Sequence, residues 1–355
     1  MNISDKLVFS PKLSQGIIAK IGIIEKFRGK WEALKIKEDQ FLQELRHIAT
    51  IQSIGSSTRI EGSQLSDQEV IHLLDNLEQR QLDTRDEQEV IGYWDALEVL
   101  LDNAEDLDLS QRYIFQLHGL LLKYSEKDTR QRGQYKNISN RVVANYPDGT
   151  QKTIFNTTEP HLVDKEMDEL IEWCNAKLAN IEMNPLIVIA TFVYEFLSIH
   201  PFHDGNGRLS RLLTTLLLVR SEYYFVQYVS FEHIIEERKK EYYQILMECQ
   251  RNRSTDDERI GSWIDFFLDC MIQLSAKLEN KLERIVRNDT YLNARQKRII
   301  DLLNLKGKMR SGDLAREIES ASLPTIKKDL NFLVKQGLIL KFGVGKATTY
   351  QSPSA

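Results

Sequence analysis

The centre of this 355-residue chain constrains the fold most, because two apolar segments meet there at a loop that contains two glycines. Pro185 opens an apolar run through Ile199 that is typical of a buried helix. The stretch HPFHDGNGRLSR follows as residues 200–211. A second helix with one buried stripe is predicted by the helical spacing of Leu209, Leu212, Leu213 and Leu216. The sequence therefore predicts two helices joined by a tight loop.

The rest of the first 290 residues also predicts helices, with one break. Helical spacing prevails, and the whole chain has only 7 prolines and 17 glycines. Ser66-Asp67-Gln68-Glu69 has the pattern of a capping box. Within 139–155, Pro147-Asp148-Gly149 separates two strand-like runs, the first with Val142 and Val143, which predicts a β-hairpin. Since a lone hairpin is marginally stable, we expect it to lie as a flap on a helical body.

The last 65 residues differ from the rest in charge and in pattern. Residues 291–355 hold 12 Lys+Arg and 5 Asp+Glu, a net charge of +7, whereas the preceding part has a net charge of −12. This contrast indicates a domain boundary and an anionic partner for the tail. Three helices and then two strands, the order of a winged helix-turn-helix, are predicted at 293–305, 313–319, 322–335, 338–342 and 347–351. We expect three domains, at 1–100, 101–288 and 291–355.

Neither a membrane span nor a disulfide framework is expected. No apolar run reaches the ~18 residues of a spanning helix. The N-terminal segment lacks the basic start and apolar core of a secretion signal. The cysteines are odd in number and widely spaced, as expected of small buried side chains in a reducing compartment: Cys174, Cys249 and Cys270. We therefore predict a cytoplasmic protein without a zinc site.

The central loop combines groups that suit a bound polyphosphate. Gly205 and Gly207 permit a tight turn at a helix N-terminus, where free backbone N–H groups and the helix dipole attract anions. Arg208 and Arg211 are three residues apart and share a helix face beside that turn. Asp204 would repel phosphate unless a cation such as Mg²⁺ lay between them. The loop therefore predicts a site for a polyphosphate and a divalent cation.

His200 is the candidate base of this site. An imidazole beside a polyphosphate can accept the proton of an incoming hydroxyl, as in-line transfer of a phosphorus group requires. Each feature alone has a plainer interpretation, since a histidine often only ends a helix and paired arginines often face solvent. His200 and Asp204 are also alternative metal ligands, but no further histidine or carboxylate run completes such a site. Their combination within residues 200–211 favours the transfer chemistry.

The same stretch resembles the signature of Fic enzymes, H-P-F-x-[D/E]-G-N-G-R-x-x-R, at every specified position. The resemblance implies a mostly α, Fic-type helical bundle with a β-hairpin flap, and transfer of AMP from ATP to a Ser, Thr or Tyr hydroxyl of a protein. It implies His200 as the base and Asp204 as the Mg²⁺ ligand. The residues that it assigns to the ATP phosphates are Gly205, Asn206, Gly207, Arg208, Leu209, Ser210 and Arg211.

Two further regions are assigned by this resemblance. The hairpin, with Val142 and Val143, corresponds to a flap on which the target protein docks by strand addition. Tyr242 and Tyr243 correspond to the adenine side of the site, and core aromatics are the alternative interpretation. Lys136 stands where relatives more often have arginine.

An upstream segment resembles the inhibitory motif of Fic proteins. A helix is expected to end at Glu61, with Gly62 as its left-handed cap, which puts a carboxylate at the negative end of a helix dipole. A solvated glutamate is the simple interpretation. However, Ser57-x-x-x-Glu61-Gly62 matches [S/T]-x-x-x-E-[G/N], which implies a Glu61–Arg211 ion pair, a displaced γ-phosphate and low basal activity. Whether the same glutamate also supports removal of AMP stays open.

The tail adds a second class of function. Lys327, Lys328 and Asn331 are predicted on its recognition helix and Lys346 on its wing, and such side chains contact phosphates and base edges in DNA. A protein–protein or dimerisation module is the alternative, so a homodimer also stays open.

Three hypotheses for the whole chain follow: an AMP-transferring enzyme, a DNA-binding transcriptional regulator whose Fic body senses a nucleotide, and a related transferase with another donor. The intact His200 and Asp204 favour the first, because a sensor needs no base.

Overall fold

Helices make up most of the first 288 residues, as the sequence predicted. The computed structural model describes residues 3–33, 40–77, 82–104, 108–145, 151–180, 182–288, 292–318, 321–335, 338–343 and 348–352. The helices in this part of the chain are α1 Pro11–Ala33, α2 Gln40–Glu61, α3 Asp67–Asp75, α4 Arg85–Asn103, α5 Gln111–Leu121, α6 Pro160–Ala179, α7 Pro185–Ile199, α8 Asn206–Arg220, α9 Phe231–Glu237, α10 Lys239–Gln250 and α11 Gly261–Asn288. Short 3₁₀ turns occur at Ile3–Lys6 and Tyr224–Tyr228.

The chain divides into two compact units, Met1–Leu278 and Glu279–Ala355. The first unit contains the N-terminal region that the sequence predicted for 1–100, and residues 101–278 of the catalytic core that it predicted for 101–288. That internal boundary remains a prediction.

The pair α7 and α8 lies at the centre of the first unit. Asn184 caps α7 by accepting a hydrogen bond from the backbone N–H of Leu186 at 2.9 Å, and Pro185 follows it. The leucine stripe predicted on α8 is buried, but so are all its residues from 208 to 219. The prediction of a single buried stripe is therefore wrong, because helices pack against every side of α8. A helix buried in this way is a rigid base for the loop before it.

Local capping explains where several helices begin and end. Ser66 and Glu69 form the predicted capping box at the start of α3, and Thr84 and Glu87 form another at α4. Helix α2 ends at Glu61, and the next residue, Gly62, has a φ of +116° that is rare for other residues. The N–H groups of residues 62 and 63 bond back to the carbonyls of residues 59 and 58, which is a Schellman motif.

The predicted hairpin is present in the described residues. Strand β1 is Arg141–Asn145 and strand β2 is Gln151–Asn156, and they pair antiparallel with an irregularity between Val142 and Val143. Val142 lies opposite Phe155, and Val143 lies opposite Thr153. The predicted turn at Pro147-Asp148-Gly149 lies outside the described residues.

The second unit has the predicted three helices and a larger sheet than predicted. Its elements are α12 Ala294–Lys306, β3 Met309–Arg310, α13 Ser311–Glu317, α14 Leu323–Lys335, β4 Leu340–Phe342 and β5 Thr349–Gln351. The sheet order is β3-β5-β4, with both pairs antiparallel. Strand β3 was not predicted, because two residues are too few to show a strand period. The predicted wing residue Lys346 lies outside the described residues.

Cys174, Cys249 and Cys270 are buried free thiols. None of the helices in the described ranges is both long and apolar enough to cross a bilayer.

Candidate active site

The loop between α7 and α8 has a backbone that its own side chains hold. His200 ends α7 in a left-handed conformation with φ 53° and ψ 60°, and Gly205 enters α8 with φ 79°. The Asn206 side chain accepts the N–H of Phe202 at 2.9 Å and donates to its carbonyl at 2.8 Å. Asn206 therefore fixes the loop with its side chain, which leaves its backbone N–H as the group available to a phosphate.

His118 on α5 packs against the same loop and bonds to it. The N–H of Gly133 donates to its Nδ1 at 2.9 Å, so its proton is on Nε2, which faces the carbonyl of Asp204 at 3.1 Å. Its ring stacks on Phe202, with centroids 3.8 Å apart. Burial lowers the pKa of His118 to about 4, so the ring is neutral at pH 7. The sequence did not identify this histidine as a site residue, because its burial beside the loop is visible only in the structure.

The His200 imidazole is neutral and oriented. Nδ1 lies 3.3 Å from the Leu197 carbonyl, and a proton on Nδ1 leaves the Nε2 lone pair available as a base. Burial lowers the pKa of His200 to about 4, and the positive charge of Lys136 acts in the same direction. Glu61 and Asp204 act in the opposite direction. An imidazole in this state can accept a proton at neutral pH.

Asp204 lies within a network of charges. Its Oδ1 accepts the N–H of Gly205 at 2.6 Å and lies 3.2 Å from Arg208, while its Oδ2 lies 3.0 Å from Arg85. Burial raises the pKa of this carboxyl, but the bonds to Arg208, Gly205 and Arg85 outweigh it, and the net pKa is lowered. Glu89 completes the network by pairing with both arginines, at 3.2 and 2.6 Å. Arg85 and Glu89 were missed from the sequence, because their role depends on a contact between distant helices.

Arg211 lies between α8 and α2. Its Nε donates to the Ser57 hydroxyl at 2.8 Å, and its Nη2 donates to the Ser57 carbonyl at 2.9 Å and to Oε1 of Glu61 at 2.8 Å. The ion pair between Glu61 and Arg211 that the sequence predicted is therefore present. Arg211 is 2% exposed, so this pair is almost shielded from water on the arginine side.

The carboxylate of Glu61 lies directly on the first turn of α8. A Cβ atom built on Gly207 would overlap Oε1 of Glu61 and would lie 3.3 Å from Nη1 of Arg211. Gly207 was predicted as a turn residue, but it lies within the helix, and its lack of a side chain permits this close approach. The favourable end of the α8 dipole and Arg211 offset the unfavourable position of Glu61 at the end of α2. An anion thus already occupies the predicted phosphate site.

Two buried guanidiniums of α8 retain donors without a hydrogen bond among the described residues. Arg208 is 1% exposed, and its Nε finds no hydrogen-bond acceptor among the described residues. The same holds for Nη1 of Arg211. Buried donors of this kind are normally satisfied, and these two are compatible with an anionic ligand that has several oxygens. A triphosphate fits this requirement.

The donor set for a cation is small, and it fits Mg²⁺ held mainly by phosphate. No group of three or more His, Cys, Asp or Glu within the described ranges could hold a metal ion alone. Asp204 is the carboxylate beside the phosphate site, and Mg²⁺ commonly takes one or two carboxylates together with phosphate oxygens.

Other predicted residues contribute less directly. The Leu209 side chain is fully buried, and Ser210 donates to the carbonyl of Gly207 at 2.8 Å, so neither side chain faces a ligand. Tyr242 is 3% exposed and packs on Trp263 with centroids 5.6 Å apart, while Tyr243 is partly exposed and contacts Tyr242 edge to face. Tyr242 is thus a core aromatic, and of these two tyrosines only Tyr243 has surface that the adenine ring could contact.

The second unit exposes its predicted recognition residues. Lys327, Lys328 and Asn331 are exposed on α14, whose opposite face is buried through Ile326, Leu330 and Leu333. Arg295 and Gln296 bind the buried Asp329, which fixes α12 against α14.

Comparison with known proteins agrees with this description. Residues 108–218 match the Fic/DOC family, and residues 295–348 match the DeoR-like helix-turn-helix domain. A Fic family protein from Desulfovibrio desulfuricans superposes with a TM-score of 0.64 over 99% of this chain and 98% of that chain, at 22% identity. Fic-1 from Caenorhabditis elegans superposes with a TM-score of 0.61 over 77% and 75%, at 18% identity. At these identities the likeness concerns the fold.

Curated relatives match over shorter segments. The protein adenylyltransferase Fic of Aedes aegypti is 28% identical over 181 residues, which are 49% of this chain and 33% of that protein. The protein adenylyltransferase fic-1 of Caenorhabditis briggsae is 34% identical over 67 residues, 19% of this chain and 13% of that protein. The chain therefore matches only a third or less of the length of these relatives. It contains a mostly helical Fic/DOC domain and, C-terminal to it, a DeoR-like helix-turn-helix domain, and it is distantly related to protein adenylyltransferases.

Proposed function

We propose that this chain is a protein adenylyltransferase that transfers AMP from ATP to a Ser, Thr or Tyr hydroxyl of a protein, itself included, and that Glu61 restrains it. The carrying observation is that a neutral His200 and two buried arginines, Arg208 and Arg211, lie within one loop and the first turns of α8 that follow it. The Fic/DOC match over 108–218 supports the same conclusion.

The residues have distinct tasks in this reaction. The phosphates of ATP bind the N–H groups of the first turn of α8 and the free donors of Arg208 and Arg211. His200 accepts the proton of the target hydroxyl, whose oxygen attacks the α-phosphorus. The bond from that phosphorus to the bridging oxygen breaks, and pyrophosphate leaves. Asp204 would hold Mg²⁺, which would neutralise charge on the phosphate oxygens.

Glu61 opposes this binding mode. Its carboxylate lies against Gly207, where a phosphate would bind the helix N-terminus, and it engages Nη2 of Arg211. Two anions in one such site repel each other, so basal activity should be low and the Glu61→Gly variant should be more active. Whether Glu61 also supports removal of AMP is tested by incubating modified protein without ATP and measuring the AMP released.

The test compares ATP labelled at the α-phosphate with ATP labelled at the γ-phosphate. The variants are wild type, Glu61→Gly, and Glu61→Gly with His200→Ala. Label from the α-position should enter protein in Glu61→Gly, less in wild type, and not in the double variant. Label from the γ-position would identify a kinase instead. Protein that binds ATP but takes up no label in any variant would refute the enzyme and favour the nucleotide-sensing regulator.

DNA binding by the second unit is a second candidate function, and a specific observation favours it. Lys327, Lys328 and Asn331 form an exposed polar face on α14 of a domain that matches the DeoR-like helix-turn-helix. Fluorescence anisotropy of the full chain with duplex DNA should show binding that weakens steeply with salt. Absence of binding at low salt, together with a concentration-dependent dimer in sedimentation, would favour the dimerisation alternative.

A further inference from the structure

Lys136 is a buried cation beside the candidate base. Its side chain is 3% exposed, and its ammonium donates to the Thr157 hydroxyl at 2.7 Å, to Oδ1 of Asn140 at 2.8 Å and to the carbonyl of Ile199 at 3.2 Å. All three acceptors are neutral, and the two carboxylates that act on it electrostatically, Glu159 and Glu166, form no ion pair with it among the described residues. Burial lowers the pKa of Lys136 to about 8. Since a buried charge without a directly paired counter-ion costs desolvation energy, we expect the main effect of these bonds to be the positions that they fix.

One end of this network brackets His200. The Ile199 carbonyl, one of the last in α7 and without a partner inside the helix, accepts from the Lys136 ammonium. The backbone N–H of Lys136 donates to the carbonyl of Pro201 at 2.8 Å. Lys136 thus binds the carbonyls of the residues before and after His200, whose left-handed backbone is strained for a residue with a side chain.

The other end of the network is the base of the hairpin. Asn140 directly precedes β1, and Thr157 directly follows β2. The two residues bond to each other through the Thr157 hydroxyl, and Asn140 also donates to the carbonyl of Phe202 at 2.9 Å. One ammonium therefore joins both ends of the hairpin to the backbone that carries the imidazole.

We propose that Lys136 is a positioning residue, which holds the His200 imidazole in a fixed position relative to the hairpin and thereby relative to a target segment docked there. This inference rests on the proposed function, because it assumes that His200 is the base and the hairpin the docking strand. Among the described residues, the hydrogen bonds of Lys136 include none to the phosphate site at α8. Its loss should therefore reduce turnover without weakening ATP binding.

Electrostatics supports the same role. The ammonium of Lys136 lowers the pKa of His200, whereas the other charged groups that face the imidazole, Glu61 and Asp204, raise it. Removal of the lysine charge should therefore raise the pKa of His200. The acid side of the kcat/KM profile should move to higher pH by the same amount.

The experiment uses the full chain with Glu61→Gly, so that transfer is measurable. Lys136→Met keeps the buried volume and removes the donors, Lys136→Arg restores a cation, and Thr157→Val removes only the bond at the hairpin base. We expect Lys136→Met to lower kcat by about tenfold or more with an ATP Kd within about twofold, and Lys136→Arg to recover most of the loss. Thr157→Val should raise KM for the target with a smaller change in kcat.

A kcat in Lys136→Met equal to that of its parent, or an ATP Kd that weakens in step with kcat, would overturn the inference. The pKa of His200, measured by NMR of the imidazole, gives a readout that needs no turnover, and an unchanged pKa in Lys136→Met would overturn it too. If the Glu61→Gly parent binds ATP but transfers no label, the proposed function fails, and the NMR result still decides whether Lys136 acts on His200.

Discussion

The strength of the restraint should depend on bonds between α2 and α9, away from the phosphate site. Arg59, two residues before Glu61, forms a bidentate pair with Glu236 on α9, at 2.6 and 3.0 Å. The same guanidinium donates a hydrogen bond to the carbonyl of Leu65 and forms an ion pair with Asp67, each at 2.9 Å. We refer to the Arg59–Glu236 pair as the α2 latch. If the latch holds Glu61 in place, the Arg59→Ala variant should be more active than wild type.

The expected size follows from the geometry of the latch. The side chains of Arg59 and Glu236 are 20% and 23% exposed, so their pair is partly shielded and should contribute about 2 kcal/mol to the attachment of α2. A change of about 2 kcal/mol alters the ratio of attached to detached α2 by about 30-fold. Basal AMP transfer should therefore rise by up to about 30-fold, with the rate of Glu61→Gly as its ceiling.

The assay measures initial rates of auto-modification with α-labelled ATP, together with thermal stability. Arg238→Ala is the matched control, because it removes another bidentate Arg–Glu pair, with Glu241 at 2.9 and 2.8 Å, which has no bond to α2 among the described residues. Arg59→Ala and Glu236→Ala should raise the initial rate of auto-modification by similar factors, and the double variant should be no faster than either single variant. A rate at the wild-type level in Arg59→Ala, while Glu61→Gly is active, would refute the reasoning.

Three further predictions concern other parts of the chain. Arg85→Ala removes the cation beside Oδ2 of Asp204 and should tighten Mn²⁺ binding, measured by calorimetry with a non-hydrolysable ATP analogue present, by about threefold. The change should be modest because Arg85 is exposed, and equal Mn²⁺ affinities in the two proteins would contradict the prediction. The pKa of His118 is about 4 in the folded state and about 6.5 in the unfolded state, so the unfolded state binds more protons between these values. The free energy of unfolding of wild type should therefore fall by up to about 3 kcal/mol, relative to that of His118→Gln, as the pH falls from 6.5 to 4. A difference between the two proteins in urea unfolding that does not vary with pH would count against this. Joint replacement of Lys327 and Lys328 by alanine should weaken duplex binding and reduce the salt slope by about 2, and an unchanged slope would exclude them as phosphate contacts.

Much of the fold could be predicted because its signals are local. The capping box at Ser66, the helix start at Pro185 and the hairpin depend on a few neighbouring residues each, and all three are present. The Glu61–Arg211 pair was predicted by resemblance to a known motif, since no local rule joins residues 150 positions apart.

The features that were missed depend on tertiary contacts. No periodicity shows that α8 is buried on every side, because that depends on which helices surround it. Likewise, Arg85 approaches Asp204 and His118 approaches the same loop only after α4 and α5 have packed. Lys136 was noticed as a substitution within a family pattern, but its consequence required knowledge of its three acceptors.

The contact between Glu61 and the first turn of α8 also determines how the protein would respond to its nucleotide supply. A carboxylate carried by the same chain competes within the molecule, so its competition is independent of dilution or expression level. A rise in cellular ATP alone would then change occupancy of the productive arrangement only gradually. A sharp response would require an event that moves α2 itself, such as a binding partner, so the protein would report on that event rather than on energy status.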